Sequence, residues 1–381
     1  MLLLLQLLQL SLAQQQPQSF TTSVSTSRGV VRGFRVDFGW NRSQLYFGAA
    51  DVFLGEPFAQ PPVGELRFQL PRPICRYSAP VGELTYKPCC IQQRPPFGAV
   101  ETSEDCLYLN VFTPNTTVPR RFPVMVWVHG GAFASGGADQ FHYKVRVRNL
   151  VSNGVVVVTL QYRLGMLGFF TTYTPEFPAD RGLFDQILAF RWVKDDIAAF
   201  GGDPDRITAF GESAGAVSIS ALSLSPLARG LFHRLAITSG SVLLSFTTPS
   251  DVRGSIERDR AAQVPCATSP AILWYSLRAQ LQRCLLTMTT DQLISREEPP
   301  LLRSSPKPTN INWSPVRDGV MFLQDPEVLP RSRSPIDALV GDMRDEYAFF
   351  LSEFTSGNIS HLGPNSLREA LLNRGKGYLT E

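Results

Sequence analysis

Histidine is scarce, with four in 381 residues and none at ligand spacing from another, which speaks against a zinc hydrolase. Excess charge of one sign is missing too. The 36 basic and 33 acidic side chains leave a net charge of +3, too small a bias to favour nucleic acid or an anionic membrane as partner. The six cysteines form no C-x-x-C pair, so zinc ribbons and thioredoxin-type sites drop out. Neither a G-x-G-x-x-G run nor a Gly-Lys-Ser/Thr triplet occurs, which weakens phosphate and dinucleotide binding. No internal repeat is visible, and no low-complexity run lies beyond the leader. The chain calls for no metal and no cofactor.

What is present begins with an apolar leader, in which Leu2 to Leu5, Leu7, Leu8, Leu10 and Leu12 precede Ala13. It is too short to span a bilayer and reads as a secretory signal over 1–13. Secretion places the cysteines in an oxidising compartment and predicts disulfides. Acceptor triplets beginning at Asn41, Asn115, Asn312 and Asn358 predict glycosylated surface loops. With 44% hydrophobic residues, the remainder can bury one large core, expected over 20–381.

Pro123 to His129 and Val155 to Leu160 are continuous apolar runs, as expected of strands buried on both faces. Between Asp180 and Gly201 the positions Leu183, Ile187, Phe190, Val193 and Ile197 step by three or four, predicting a helix capped by Asp180. Strands are predicted over Arg206–Phe210, Leu235–Ile237 and Ala338–Val340. The alternating run Lys144 to Arg148 reads as a half-exposed strand or loop. Residues 243–335, richer in Pro, Ser and Arg, read as a cap-like insertion. Alternating strands and helices argue for an α/β fold, a mainly parallel sheet with helices on both faces.

Gly211-Glu212-Ser213-Ala214-Gly215 falls between a predicted strand and a predicted helix, where a nucleophile elbow needs small residues on either side of a strained serine. Ser213 would stand at a helix N-terminus, which favours developing negative charge. His129-Gly130-Gly131-Ala132-Phe133 follows a buried strand as an oxyanion loop does.

With these motifs, the chain resembles the type-B carboxylesterases, the family that includes cholinesterases, bile-salt lipases and the non-catalytic neuroligins. The matching stretches include Phe53 to Ala59, Pro61 to Gly64, Glu104 to Val111, Tyr162 to Gly165, Phe200 to Pro204 and Phe232 to Arg234. The resemblance implies an α/β-hydrolase fold and acyl transfer through a covalent intermediate on Ser213. It implies an oxyanion hole from the amides of Gly131, Ala132 and Ala214, and Glu346 as the acid in place of its neighbour Asp345. It also implies a Cys266–Cys284 bridge and a bridge from Cys106 to Cys89 or Cys90, leaving Cys75 without an assigned partner. The family histidine comes far downstream of the acid, so the C-terminal part of the fold is expected past Glu381. His361 follows Glu346 by only 15 residues and is not the expected base. Between Cys90 and Cys106 only Phe97 is aromatic, which disfavours choline recognition and points to small neutral carboxylic esters. The rival readings are a neuroligin-like binding module and an inactive, truncated relative; retention of Ser213, Glu346 and the glycine-rich loop argues against the first.

Overall fold

The computed structural model describes residues 19–92, 101–117, 121–245, 278–294, 313–324 and 335–343, and the statements that follow concern these. The chain opens with β1 (Thr22–Ser25), β2 (Val30–Asp37), β3 (Ala49–Pro57), the short β4 (Cys89–Cys90) and β5 (Thr102–Ser103), and β6 (Tyr108–Thr113). Then come β7 (Phe122–Val128), α1 (Tyr143–Asn149), β8 (Val156–Leu160), α2 (Gly165–Phe169), α3 (Arg181–Asp196) and β9 (Gly202–Glu212). Last are α4 (Ala214–Leu224), β10 (Arg234–Thr238), α5 (Val242–Ser245), α6 (Arg278–Thr287), α7 (Thr290–Ile294) and β11 (Asp337–Gly341).

Among the described residues one nine-stranded sheet runs β1-β2-β3-β6-β8-β7-β9-β10-β11. From β1 through β8 the neighbours pair antiparallel; from β8 through β7, β9 and β10 to β11 they pair parallel. Parallel neighbours need a crossover long enough to hold a helix, and α1, α3 and α4 lie in the crossovers between β7, β8, β9 and β10. β7 comes first in the parallel half, with β8 on one side and β9 on the other. The strand order therefore reverses at β7, and in open α/β sheets the crevice beyond the carboxyl ends at such a point is where ligands bind.

β8 is buried along its whole length, as its β-branched run predicts. β7 instead alternates, with Phe122, Val124, Val126 and Val128 buried and Trp127 half-buried against Phe141 and Phe210, ring centroids 6.2 and 4.9 Å away. Of the five predicted apolar positions four lie on α3 and Ile197 opens the turn that follows; all are buried, and Gly201 ends that turn at φ 81°. Asp180 precedes α3 but does not cap it. It takes the left-handed conformation, and its Oδ1 accepts the Val316 N–H at 3.0 Å, tying the 313–324 segment to the core.

The Lys144 to Arg148 run is helical rather than extended. His142 caps α1 by accepting the Lys144 N–H through Nδ1, and Tyr143 and Val147, four residues apart, are both buried. The alternating charges are absorbed by aromatic faces, with Lys144 Nζ 5.7 Å from the Tyr46 ring and the Arg146 guanidinium 5.6 Å from that of Phe112. The leader and most of 243–335 lie outside the described residues. Among the described residues no helix is long and apolar enough to cross a membrane.

Candidate active site

The elbow is built by two glycines. Ser213 stands between β9 and α4 at φ 53° and ψ −124°, a region costly for any residue with a Cβ. Its N–H donates to Thr238 O at the end of β10, and its carbonyl accepts the Val217 N–H, the first bond of α4. A Cβ on Gly211 would lie 2.6 Å from the Gly215 carbonyl carbon; one on Gly215 would lie 2.1 Å from Val128 O. Glycine at both positions lets the first turn of α4 press against the end of β7, leaving Ser213 half-buried.

The loop after β7 meets this elbow because β7 and β9 are neighbours, Val128 being in register with Gly211. A Cβ on Gly130 would lie 3.1 Å from Ser213 Cβ and 2.7 Å from Glu212 O, so the bare backbone of the loop runs against the serine. Gly131, Ala132 and Phe133 all have positive φ, at 107°, 54° and 58°. The Gly131 carbonyl is held by the Ala134 and Ser135 N–H groups and the Ser135 hydroxyl. Among the described residues the N–H groups of Gly131 and Ala132 donate to no backbone acceptor. Ala214 opens α4, where an N–H has no intrahelical partner. Of the loop, Gly130 is the residue placed directly against Ser213, and Ala214 follows the serine in sequence.

Two non-glycine residues in the left-handed region cost on the order of 1 kcal/mol each, and packing holds them there. Phe133 is fully buried against Phe169, centroids 4.9 Å apart, and its carbonyl accepts the Gly165 N–H at 2.7 Å. The His129 ring stacks on Tyr162 at 4.4 Å, Tyr162 Oη donates to His129 O at 2.9 Å, and His129 Nδ1 lies 2.9 Å from Gly130 O. Burial pushes the imidazole down to about 4, leaving it neutral at ordinary pH. The Tyr162 to Gly165 stretch is therefore a brace beneath the loop. It is anchored in turn by Arg163, which donates to both carboxylate oxygens of the buried Asp185 at 2.8 and 2.7 Å.

Among the described residues the other two histidines are committed to structure. His142 caps α1, its imidazole pushed down to about 4 by burial and then by Lys144 and Arg146, and His233 Nδ1 accepts the Ile207 N–H. Glu346, Asp345 and His361 lie outside the described residues, as do Asn312 and Asn358. Asn41 is exposed and Asn115 half-buried, each accepting from the hydroxyl of its own triplet, Ser43 and Thr117.

Cys106 bridges to Cys90. Successive strand side chains face opposite ways, so Cys89 turns instead to Asp139 Oδ1, 3.0 Å from its sulfur, and burial pushes its thiol up to about 12. Cys75 and Cys89 are free, Cys75 being exposed. Cys284 is disulfide-bonded, while Cys266 lies outside the described residues. The acidic motif beside the first bridge is structural: Glu104 pairs with Arg67, and Asp105 accepts the Tyr108 hydroxyl.

Comparison with known proteins decides the family, since residues 20–373 match the model of the carboxylesterase family. This chain belongs to that family. It is 37% identical to carboxylesterase 1D of Rattus norvegicus over 86% of this chain and 59% of the relative. It is 34% identical to the medium-chain fatty acyl-CoA hydrolase precursor of Anas platyrhynchos over 93% of this chain and 63% of the relative. Liver carboxylesterase 1 of Oryctolagus cuniculus is 37% identical, over 79% and 55% respectively. The chain thus spans about six-tenths of the length of these relatives. Sequence reasoning missed Gln92, whose side chain pairs with Gly136 in the loop after β7. Its position two residues after Cys90 was the available signal.

Proposed function

We propose that this protein is a serine hydrolase of small neutral carboxylic esters, acting in the secretory pathway or outside the cell. The observation that supports the reading is the approach of the Gly130 backbone to Ser213, where an added Cβ would lie 3.1 Å from the serine Cβ. In the reaction, Ser213 Oγ attacks the ester carbonyl carbon while a histidine base takes its proton. Charge on the carbonyl oxygen is met by the N–H groups of Gly131, Ala132 and Ala214. Collapse expels the alcohol, which carries off that proton, and leaves an acyl-enzyme; water then attacks to release the acid and restore Ser213. Glu346 orients the base. That base is the family histidine expected downstream of the acid, and His361 is not assigned the role.

Incubating the protein with a fluorophosphonate and with short-chain nitrophenyl esters tests the reading. Labelling confined to Ser213, and turnover that disappears in Ser213→Ala while the fold persists, are expected of the base-bearing protein. A folded, base-bearing protein that neither labels nor turns over would leave the binding-module reading in its place. Turnover lost in His361→Ala would reassign the base.

A further inference from the structure

Behind the oxyanion loop lies a contact that the reaction itself does not require. Gln92 is buried, 3% exposed, between β4 and the loop after β7. Its Nε2 donates to Cys90 O at 3.0 Å and to Gly136 O at 2.8 Å, while its Oε1 accepts the Gly136 N–H at 2.9 Å. One side-chain amide thus pairs with both backbone groups of a single residue, as a neighbouring strand would. Gly136 in turn lies directly on the loop. It has φ 114°, and a Cβ there would fall 2.3 Å from His129 Nδ1 and 2.4 Å from Gly130 O. Next door, a Cβ on Gly137 would fall 2.4 Å from the Cys89 sulfur. The segment Cys89 to Gln92 therefore presses on 136–137 from behind, and its own place is fixed by the Cys90–Cys106 bridge.

We propose that Gln92 is a positioning residue for the oxyanion donors, acting through Gly136 and tethered by the Cys90–Cys106 disulfide. The inference rests on the ester-hydrolase reading for its kinetic consequence but not for its structural one. Gly131 and Ala132 hold positive φ, and their N–H groups can aim at one oxygen only if the loop cannot relax. The Gly131 carbonyl is fixed from within by Ala134 and Ser135, but these belong to the same loop and move with it. Gln92 supplies a tie from outside. A donor displaced by about 1 Å costs on the order of 100-fold in rate, and the loss falls on the charge-developing step and not on substrate binding.

The test replaces Gln92 by Met, close in shape but unable to pair with Gly136. Amide hydrogen exchange is followed over the 129–137 peptide, with a peptide of β8 as internal reference, alongside ester turnover. Gln92→Met is expected to speed exchange in 129–137 alone and to lower kcat about 10- to 100-fold with KM changed less than about 2-fold. Gln69→Met, which removes a side-chain bond to Glu176 O elsewhere, should leave both readouts unchanged. If Gln92→Met does not fold, Gln92→Asn keeps the amide one methylene short and should show the same pattern more weakly. Unchanged exchange over 129–137 in a folded variant overturns the proposal, as does a loss expressed in KM alone. If the parent protein turns over no ester, the hydrolase reading fails separately, and the exchange data decide whether Gln92 positions the loop.

Discussion

Replacing Glu56 by Gln should make the protein more stable at neutral pH and leave it unchanged in acid. Glu56 lies on β3 at the register shift between Phe53 and Glu56, beside Gly55 at φ 76°. It is wholly buried, and neither carboxylate oxygen has a hydrogen-bond partner among the described residues. Burial, then the charge of Glu83, holds its carboxyl well above the usual carboxylate range. The sign follows from linkage. The folded state binds this proton more tightly than the unfolded chain, so the contribution to stability is fully present below the unfolded value and is lost as pH rises through the folded one. Gln removes that titration while conserving shape. The Gln amide is as unpartnered as the protonated acid and removes only the cost of ionisation, about 1.4 kcal/mol for each tenfold difference in proton affinity between the folded and unfolded states, so Glu56→Gln should gain on the order of 1–3 kcal/mol at pH 7.5 and nothing at pH 4. At this chain length that corresponds to several degrees in Tm. Melting of both proteins from pH 4 to pH 8 supplies the measurement. A difference that stays flat with pH, or a Gln variant less stable at pH 7.5, would refute the account of Glu56 as an unpartnered buried acid.

Gly215→Ala sets a methyl against Val128 O at 2.1 Å and should cost at least ~3 kcal/mol in urea denaturation, with loss of Ser213 labelling in whatever remains folded. Asp185→Ala leaves the Arg163 guanidinium buried without its carboxylate and should cost about 3–5 kcal/mol, read as a fall in the denaturation midpoint.

The features legible in the sequence are those whose cause is local. The elbow shows because a strained serine needs Gly211 and Gly215 within two residues, and α3 shows because its buried face repeats every three or four. The Lys144 to Arg148 run misleads for the opposite reason. Its period of two is real in sequence, but the cationic ends lie over the rings of Tyr46 and Phe112, and a helix that tolerates buried stems outcompetes a strand. Asp180 looks like a cap because of its place before α3, while its actual partner is Val316, 136 residues away. Gln92 escapes notice on the same ground, since a side chain pairing with a backbone 44 residues downstream leaves no periodic trace. The choice between Cys89 and Cys90 needed the strand itself, because only its pleat says which of two adjacent sulfurs faces Cys106.

The strand order β8-β7-β9 also sets a timetable for synthesis. As the chain leaves the ribosome from its N-terminus, Gln92, Gly136 and β8 emerge in that order, all before β9, and the glycine-rich loop can be assembled on one edge of β7. The opposite edge stays unpaired until 202–212 follows, and α3 must be made in between. A nascent chain whose emerged part ends near residue 190 would therefore display the glycine-rich loop beside an open, apolar strand edge, the kind of surface that templates wrong pairings. Placing Ser213 directly after the strand that closes that edge means that the serine is added to a loop already formed.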